Sequence, residues 1–193
     1  MNVAAVKATP QMTAAASRAR LKKPGRIIGS FGCYNHPVDQ LSLTELHQRY
    51  IQGSPPDAIV LDHTILLCHL TNAVFETGFF PSQKVYINTK VLKHTYDKKP
   101  AEEYDFIIKN LVTLVRYPDH IYENLSSKRG DLGLVKRYEG ALYFCSIERT
   151  YYEEKRDGDD GENHLVTAFR VRKETYLDNY KLLWSWKGDD PSS

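Results

Sequence analysis

Between Pro100 and Pro118 the apolar residues Tyr104, Ile107, Ile108, Leu111, Leu114 and Val115 recur every three to four positions, the period of a core-facing helix. Pro100 suits a first helical turn, with Glu102 and Glu103 behind it on the favourable side of the helix dipole, and Pro118-Asp119 stops the helix. After Pro118 the period becomes two. His120–Leu125, Gly133–Tyr138, Ala141–Glu148 and His164–Val171 are rich in Tyr, Val, Phe and Ile and read as strands. Glu139-Gly140 supplies a tight hairpin between the second and third strands, and the acidic stretch Glu153–Glu162 reads as a polar loop between the third and fourth. Tyr176, Tyr180 and Trp184, spaced by four, predict a final helix over Lys173–Trp184.

Upstream, Ser42 and Glu45 form the S-x-x-E pattern of a capping box and predict a helix near Ser42–Ile51, ended by Gly53-Ser54-Pro55-Pro56. Ala58–Leu61 is a short apolar run. His63–Phe75 is apolar all round and predicts a buried helix, closed by Gly78 and Pro81. Lys84–Ile87 reads as a short strand, after which Asn88 or Thr89 caps a helix carrying Val91, Leu92 and His94. The expected fold class is therefore α+β: two or more helices, then a four-stranded antiparallel sheet and a C-terminal helix. The expected organisation is a basic arm over 1–26, a mostly helical region over 27–80, an α+β domain over 81–187 and a short tail over 188–193.

Composition narrows the class. At 193 residues, 41% apolar and 26% charged, the chain is an ordinary globular size and composition, which excludes wholesale disorder and a collagen-like repeat. No run of 18 uncharged apolar residues is present, so a membrane-spanning helix is not expected. Three scattered cysteines, Cys33, Cys68 and Cys145, form no CxxC and suit reduced thiols in the cytoplasm. The first 26 residues hold six basic and no acidic residues. Such a segment reads as a solvated arm, an electrostatic tether to nucleic acid or a transit signal, and composition does not choose among them. The net charge of +2 conceals an uneven distribution: residues 81–193 carry 19 basic and 19 acidic residues, six of the acids within Glu153–Glu162. Without that loop and the tail from Lys187, the remainder is modestly cationic.

Candidate metal chemistry is thin. Cys33-x-x-His36 with His63 and Cys68 or His69 offers soft and imidazole ligands, but only the first pair is tightly spaced. The DGDDGE stretch departs from a calcium loop and lacks its bidentate glutamate, and no glycine-rich phosphate loop, HExxH or GxSxG occurs. No cofactor is expected. Strand parity offers more. A two-residue Glu139-Gly140 turn sets Lys136 opposite Tyr143 and Leu134 opposite Cys145, sharing one sheet face with Arg149. Val135, Leu142 and Phe144 then form the more apolar face expected to pack on the helices. On the last strand simple alternation gives Arg170 to the polar face and Thr167 to the other. A solvated face with a chance Lys–Tyr pairing fits the same parity.

The succession KVYINTKVLKH, YDFIIKNLVTLVRYPDHIY, LGLVKRY, ALYFCSIE and HLVTAFRV resembles a phage-associated branch of the barnase–EndoU–colicin–RelE nuclease superfamily. The likeness covers about Lys84–Trp186 and rests on the order and spacing of short motifs: a helix bearing an isolated histidine, a second helix running into a Pro-Asp turn, and a T-A-F strand. It implies a barnase- or RelE-like fold and a metal-independent ribonuclease, with a toxin or phage-derived effector as its setting. RNA is the implied substrate, and an antitoxin or immunity protein a conceivable further partner. Carried over, His94 matches the helical histidine, Thr167 the strand hydroxyl and Lys136 a basic residue on the hairpin strand, with Arg170 joining them as a catalytic cation. Tyr143, Arg137, Arg149 and Tyr176 are the expected substrate-binding residues. A catalytically silent RNA-binding module, or a protein-interaction domain whose acidic loop docks a basic partner, fits the same fold.

Overall fold

The computed structural model describes residues 41–124 and 129–187; the basic arm, Cys33, His36 and the tail from 188 lie outside them. A seven-stranded mixed sheet organises the molecule. In chain order its strands are β1 (Thr64–His69), β2 (Lys84–Asn88), β3 (His120–Glu123), β4 (Leu132–Tyr138), β5 (Ala141–Arg156), β6 (Asp159–Val171) and β7 (Lys181–Ser185). Their spatial order is β1-β2-β6-β5-β4-β3-β7. Only β2 and β6 run parallel; every other neighbouring pair is antiparallel. Helices α1 (Leu43–Tyr50), α2 (Asn72–Phe75), α3 (Thr89–Lys98) and α4 (Ala101–Arg116) complete the described part with a 3₁₀ turn over Glu174–Asn179. No helix among the described residues is long and apolar enough to cross a membrane.

The expected four-stranded antiparallel sheet framed by helices is thus overturned at three places. The apolar run His63–Phe75 is not one helix: Thr64–His69 forms β1 against β2, and only Asn72–Phe75 is helical. An all-apolar run of this length suits a buried strand as well as a helix, and the β-sheet neighbour decides. The predicted C-terminal helix is the 3₁₀ turn followed by β7, which pairs with β3 through Ile121↔Trp184. The supposed acidic loop Glu153–Glu162 is mostly strand: β5 and β6 extend to Arg156 and from Asp159, with Asp157-Gly158 making the turn. Its carboxylates are drawn into pairs, Lys155 with Asp160 at 2.8 Å and Lys84 with Asp159 at 2.8 Å.

Other elements form as their residues dictate. Ser42 and Glu45 make a reciprocal capping box on α1, and Asn88 caps α3 by accepting from the Val91 N–H at 2.9 Å. Glu139 and Gly140, both at positive φ, close the β4–β5 hairpin in the expected register, Lys136↔Tyr143 and Leu134↔Cys145.

The two faces are packed in the reverse of the expected sense. The face bearing Leu134, Tyr143, Cys145, Ile147, Leu165 and Ala168 meets α4, and Phe106 of that helix stacks on Tyr143 with ring centroids 5.1 Å apart. Val135, Leu142, Phe144 and Val171 lie on the opposite face beneath Tyr122, Phe169, Leu177 and Tyr180. Lys136 joins the helix-covered face because its apolar stem is buried and its ammonium is paired. The β5–β6 ladder has one irregularity near its middle. Between Ile147↔Leu165 and Ser146↔Thr167, β5 advances one residue while β6 advances two, so Val166 is a β-bulge.

Candidate functional site

In the ladder, strands β2 and β6 pair through Val85↔Asn163 and Tyr86↔His164. At Asn88 the chain turns out of the sheet into α3, while β6 continues through Val166 and Thr167. A cleft of about 470 Å³ opens where they part, lined by Asn88, Lys90 and His94 from the helix side, Val166 and Thr167 from β6, and Arg129 from the segment before β4. His94 is exposed although Val91, Leu92, Lys93 and Thr95 around it are buried, so the helix turns its imidazole outward into the cleft. Thr167 is half-buried and lies on the face opposite Cys145 and Ala168 by simple alternation, while the bulge at Val166 puts Leu165 on the other face from it. Lys90 is ion-paired with Asp62, and Arg129 with Glu148 at 2.9 Å; both are well exposed, so an incoming anion can compete with those carboxylates.

The other expected residues separate into different surroundings. Lys136 is fully buried and pairs with Asp119 at 2.9 Å, whose second oxygen accepts from the Arg137 N–H at 2.6 Å. It lines neither this cleft nor any open surface. Arg170 sits opposite Tyr143 on the helix-facing side, and both line a separate cleft of about 310 Å³ with Glu102, Glu103 and Phe106. Tyr143 is 5% exposed and carries Phe106 on its ring, so the face is not open to a base; burial raises its phenol, against which Arg170 acts. Arg149 is locked, giving Nε to Asp131 at 2.6 Å and Nη1 to the Phe79 carbonyl at 2.8 Å. Arg137 pairs with Glu174 at the surface. Tyr176 stands edge-on to Phe144 and Phe169 and accepts a hydrogen bond from the Tyr180 hydroxyl at 2.7 Å.

Sequence reasoning did not select Lys90 and Arg129. Lys90 lies four residues before His94 and shares its helix face, a signal present in the sequence. Arg129 reaches the cleft only through the long-range β4–β5 pairing, and nothing local announces it. A polar group next to the cleft also escaped: His164 stacks on Tyr86 at 5.6 Å and its Nε2 lies 2.9 Å from Glu162. Hydrogen bonds from Tyr152 and His164 hold the Glu162 carboxyl below its usual range, and the same contact pushes the Tyr152 phenol up to about 12.

For metal binding, Cys33 and His36 fall outside the described residues, and no group of three or more His, Cys, Asp or Glu converges among those described. His63 packs on the Tyr50 ring, and burial pushes the Cys68 thiol up to about 12. No family model matches this chain, and neither the curated proteins nor the solved structures compared with it provide a match.

Proposed function

We propose that the protein is an endoribonuclease that cleaves RNA without a metal ion at the cleft between α3 and β6. The observation that carries this reading is the meeting of His94 and Thr167 in one cleft with Lys90 and Arg129. His94 and Thr167 come from separate motifs of the nuclease resemblance, and both line this cavity. The chemistry follows from the groups present. His94 accepts the proton of a ribose 2′-hydroxyl, and the oxygen attacks the adjacent phosphorus. The bond from phosphorus to the 5′ oxygen breaks, and that oxygen leaves with a proton from solvent or from protonated imidazole, giving a cyclic phosphate and a free 5′-hydroxyl. Lys90 and Arg129 stabilise the charge that builds on the phosphate oxygens, and the Thr167 hydroxyl donates to one of them. The need for a 2′-hydroxyl restricts the reaction to RNA.

Lys136 takes no part in this reading. Its ammonium is enclosed with Asp119, so it supports the hairpin that carries the sheet rather than the phosphate. The test is incubation of the purified protein with transfer and messenger RNA in EDTA. His94→Ala is expected to lower cleavage about 10²–10⁴-fold, and Arg129→Gln to lower it while leaving the fold intact. RNA binding with no cleavage anywhere between about pH 5 and 8 would leave only a silent binding module. Products that form solely on adding Mg²⁺ would refute the metal-free mechanism.

A further inference from the structure

Beyond Thr167, β6 runs on to Val171 with β5 along one edge and no described strand along the other. Phe169 follows Thr167 by two residues on the same face, about 7 Å further along the strand, a distance one extended nucleotide step spans. There a second cleft, of about 360 Å³, is lined by Phe169, Arg170, Val171, Arg172, Lys173 and Tyr176. Its floor is aromatic and braced from behind: Phe169 stacks on Phe144 at 5.3 Å, and Tyr176 stands edge-on to it at 5.6 Å. Its rim is cationic. Lys99, just past the end of α3, lies over the Phe169 ring at 5.2 Å, and Arg170, Arg172 and Lys173 surround it. Glu103 answers two of these cations, Lys99 at 3.7 Å and Arg172 at 3.4 Å. The Arg170 guanidinium and the Lys173 ammonium have no carboxylate partner among the described residues.

We infer that this cleft is a subsite for the nucleotide beside the scissile phosphate, with its unpaired base on the Phe169–Tyr176 floor and its phosphate among Arg170, Arg172 and Lys173. The inference rests on the ribonuclease reading of the His94 cleft. A single strand of RNA matches both features at once, a flat apolar base and an anion at every step. An acidic peptide matches only the charge. α3 carries His94 at the first cleft, and Lys99 just past its end lies over the Phe169 ring of the second.

The experiment is a fluorescence-anisotropy titration of the full chain with a short 2′-O-methyl RNA, which binds but is not cut. Tyr176→Leu is expected to weaken binding roughly 5- to 100-fold. The double variant Arg172→Gln, Lys173→Gln, altered only at exposed side chains, is expected to weaken it and to reduce the salt slope by about 1.4. An abasic residue scanned along the strand should weaken wild-type binding at one position, and there Tyr176→Leu should add no further loss. Equal binding of every abasic strand, additive losses, or an oligoaspartate that competes as well as RNA would overturn the subsite. Unchanged binding by both variants alongside normal cleavage would overturn the subsite alone, whereas no RNA binding by the wild type would remove the ribonuclease reading itself.

Discussion

Lys136 and His94 show how a single residue's role depends on its surroundings. Both are polar residues that follow an apolar pair closely, Val91-Leu92 before His94 and Leu134-Val135 before Lys136. Lys136 lies two residues after Leu134 on a strand, so it shares the helix-covered face with it, and Asp119 of the Pro-Asp turn meets it there. His94 lies between buried Val91 and buried Thr95 on a helix whose turn carries it outward. Helical geometry made the exposure of His94 readable, whereas the partner of Lys136 sits 17 residues away on another element. The buried pair gives a prediction. Asp119→Ala strips the carboxylate from an enclosed ammonium and is expected to destabilise the fold by about 3 kcal/mol, read as a lower urea midpoint. A drop in cleavage without that loss of stability would mean that Lys136 acts on substrate after all.

Among elements, those governed by local rules were legible: the Ser42 capping box, the helix between Pro100 and Pro118, and the Glu139-Gly140 hairpin. Those that long-range pairing decides were not. Tyr176, Tyr180 and Trp184 share a four-residue spacing, yet Trp184 is in β7 because β3 offers it an edge. The acidic stretch is strand because two long neighbours zip beyond the point where polarity suggested a loop. Their close approach is visible at Gly161, where a Cβ would fall 2.0 Å from the Thr150 carbonyl oxygen. Backbone cannot yield as a flexible side chain does, so Gly161→Ala must prise β5 from β6. The expected cost is about 1–3 kcal/mol, measured by chemical denaturation, with faster amide exchange in the outer half of the hairpin. An unchanged midpoint would show that the two strands separate there without loss.

At the scale of the whole molecule, parity read the hairpin register correctly and assigned the wrong face to the helices. The apolar count of each face was a poor guide, because Lys136 and Tyr143 bury long apolar bodies while Val135 and Phe144 are covered by aromatic rings instead. The parallel β2–β6 contact had no local signature either, and it is the contact that creates the cleft. Long-range ties also set the response to acid. His47 of α1 bonds through Nδ1 to the Tyr104 hydroxyl of α4 at 2.8 Å, and burial lowers its pKa from 6.5, with Asp105 opposing. With the folded value below the unfolded one, this group's contribution is present above about pH 6.5 and is lost as the pH falls through the folded value. Thermal midpoints should decline over that acid range, and His47→Gln should flatten the decline. An identical pH profile in the variant would rule the link out.

The bulge at Val166 has an evolutionary consequence. It is a single surplus residue: Leu165 before it and Thr167 after it already pair correctly with consecutive residues of β5. Deleting Val166 therefore leaves the flanking side chains on their own faces while removing a residue that lines the cleft and relaxing the local irregularity there. Such a deletion is expected to spare the thermal midpoint within a few degrees yet abolish cleavage, with oligonucleotide binding retained at the Phe169 cleft. The distance between a cutting and a merely gripping form of this scaffold is then one codon, lost in frame, and a lineage can cross it without passing through an unfolded ancestor.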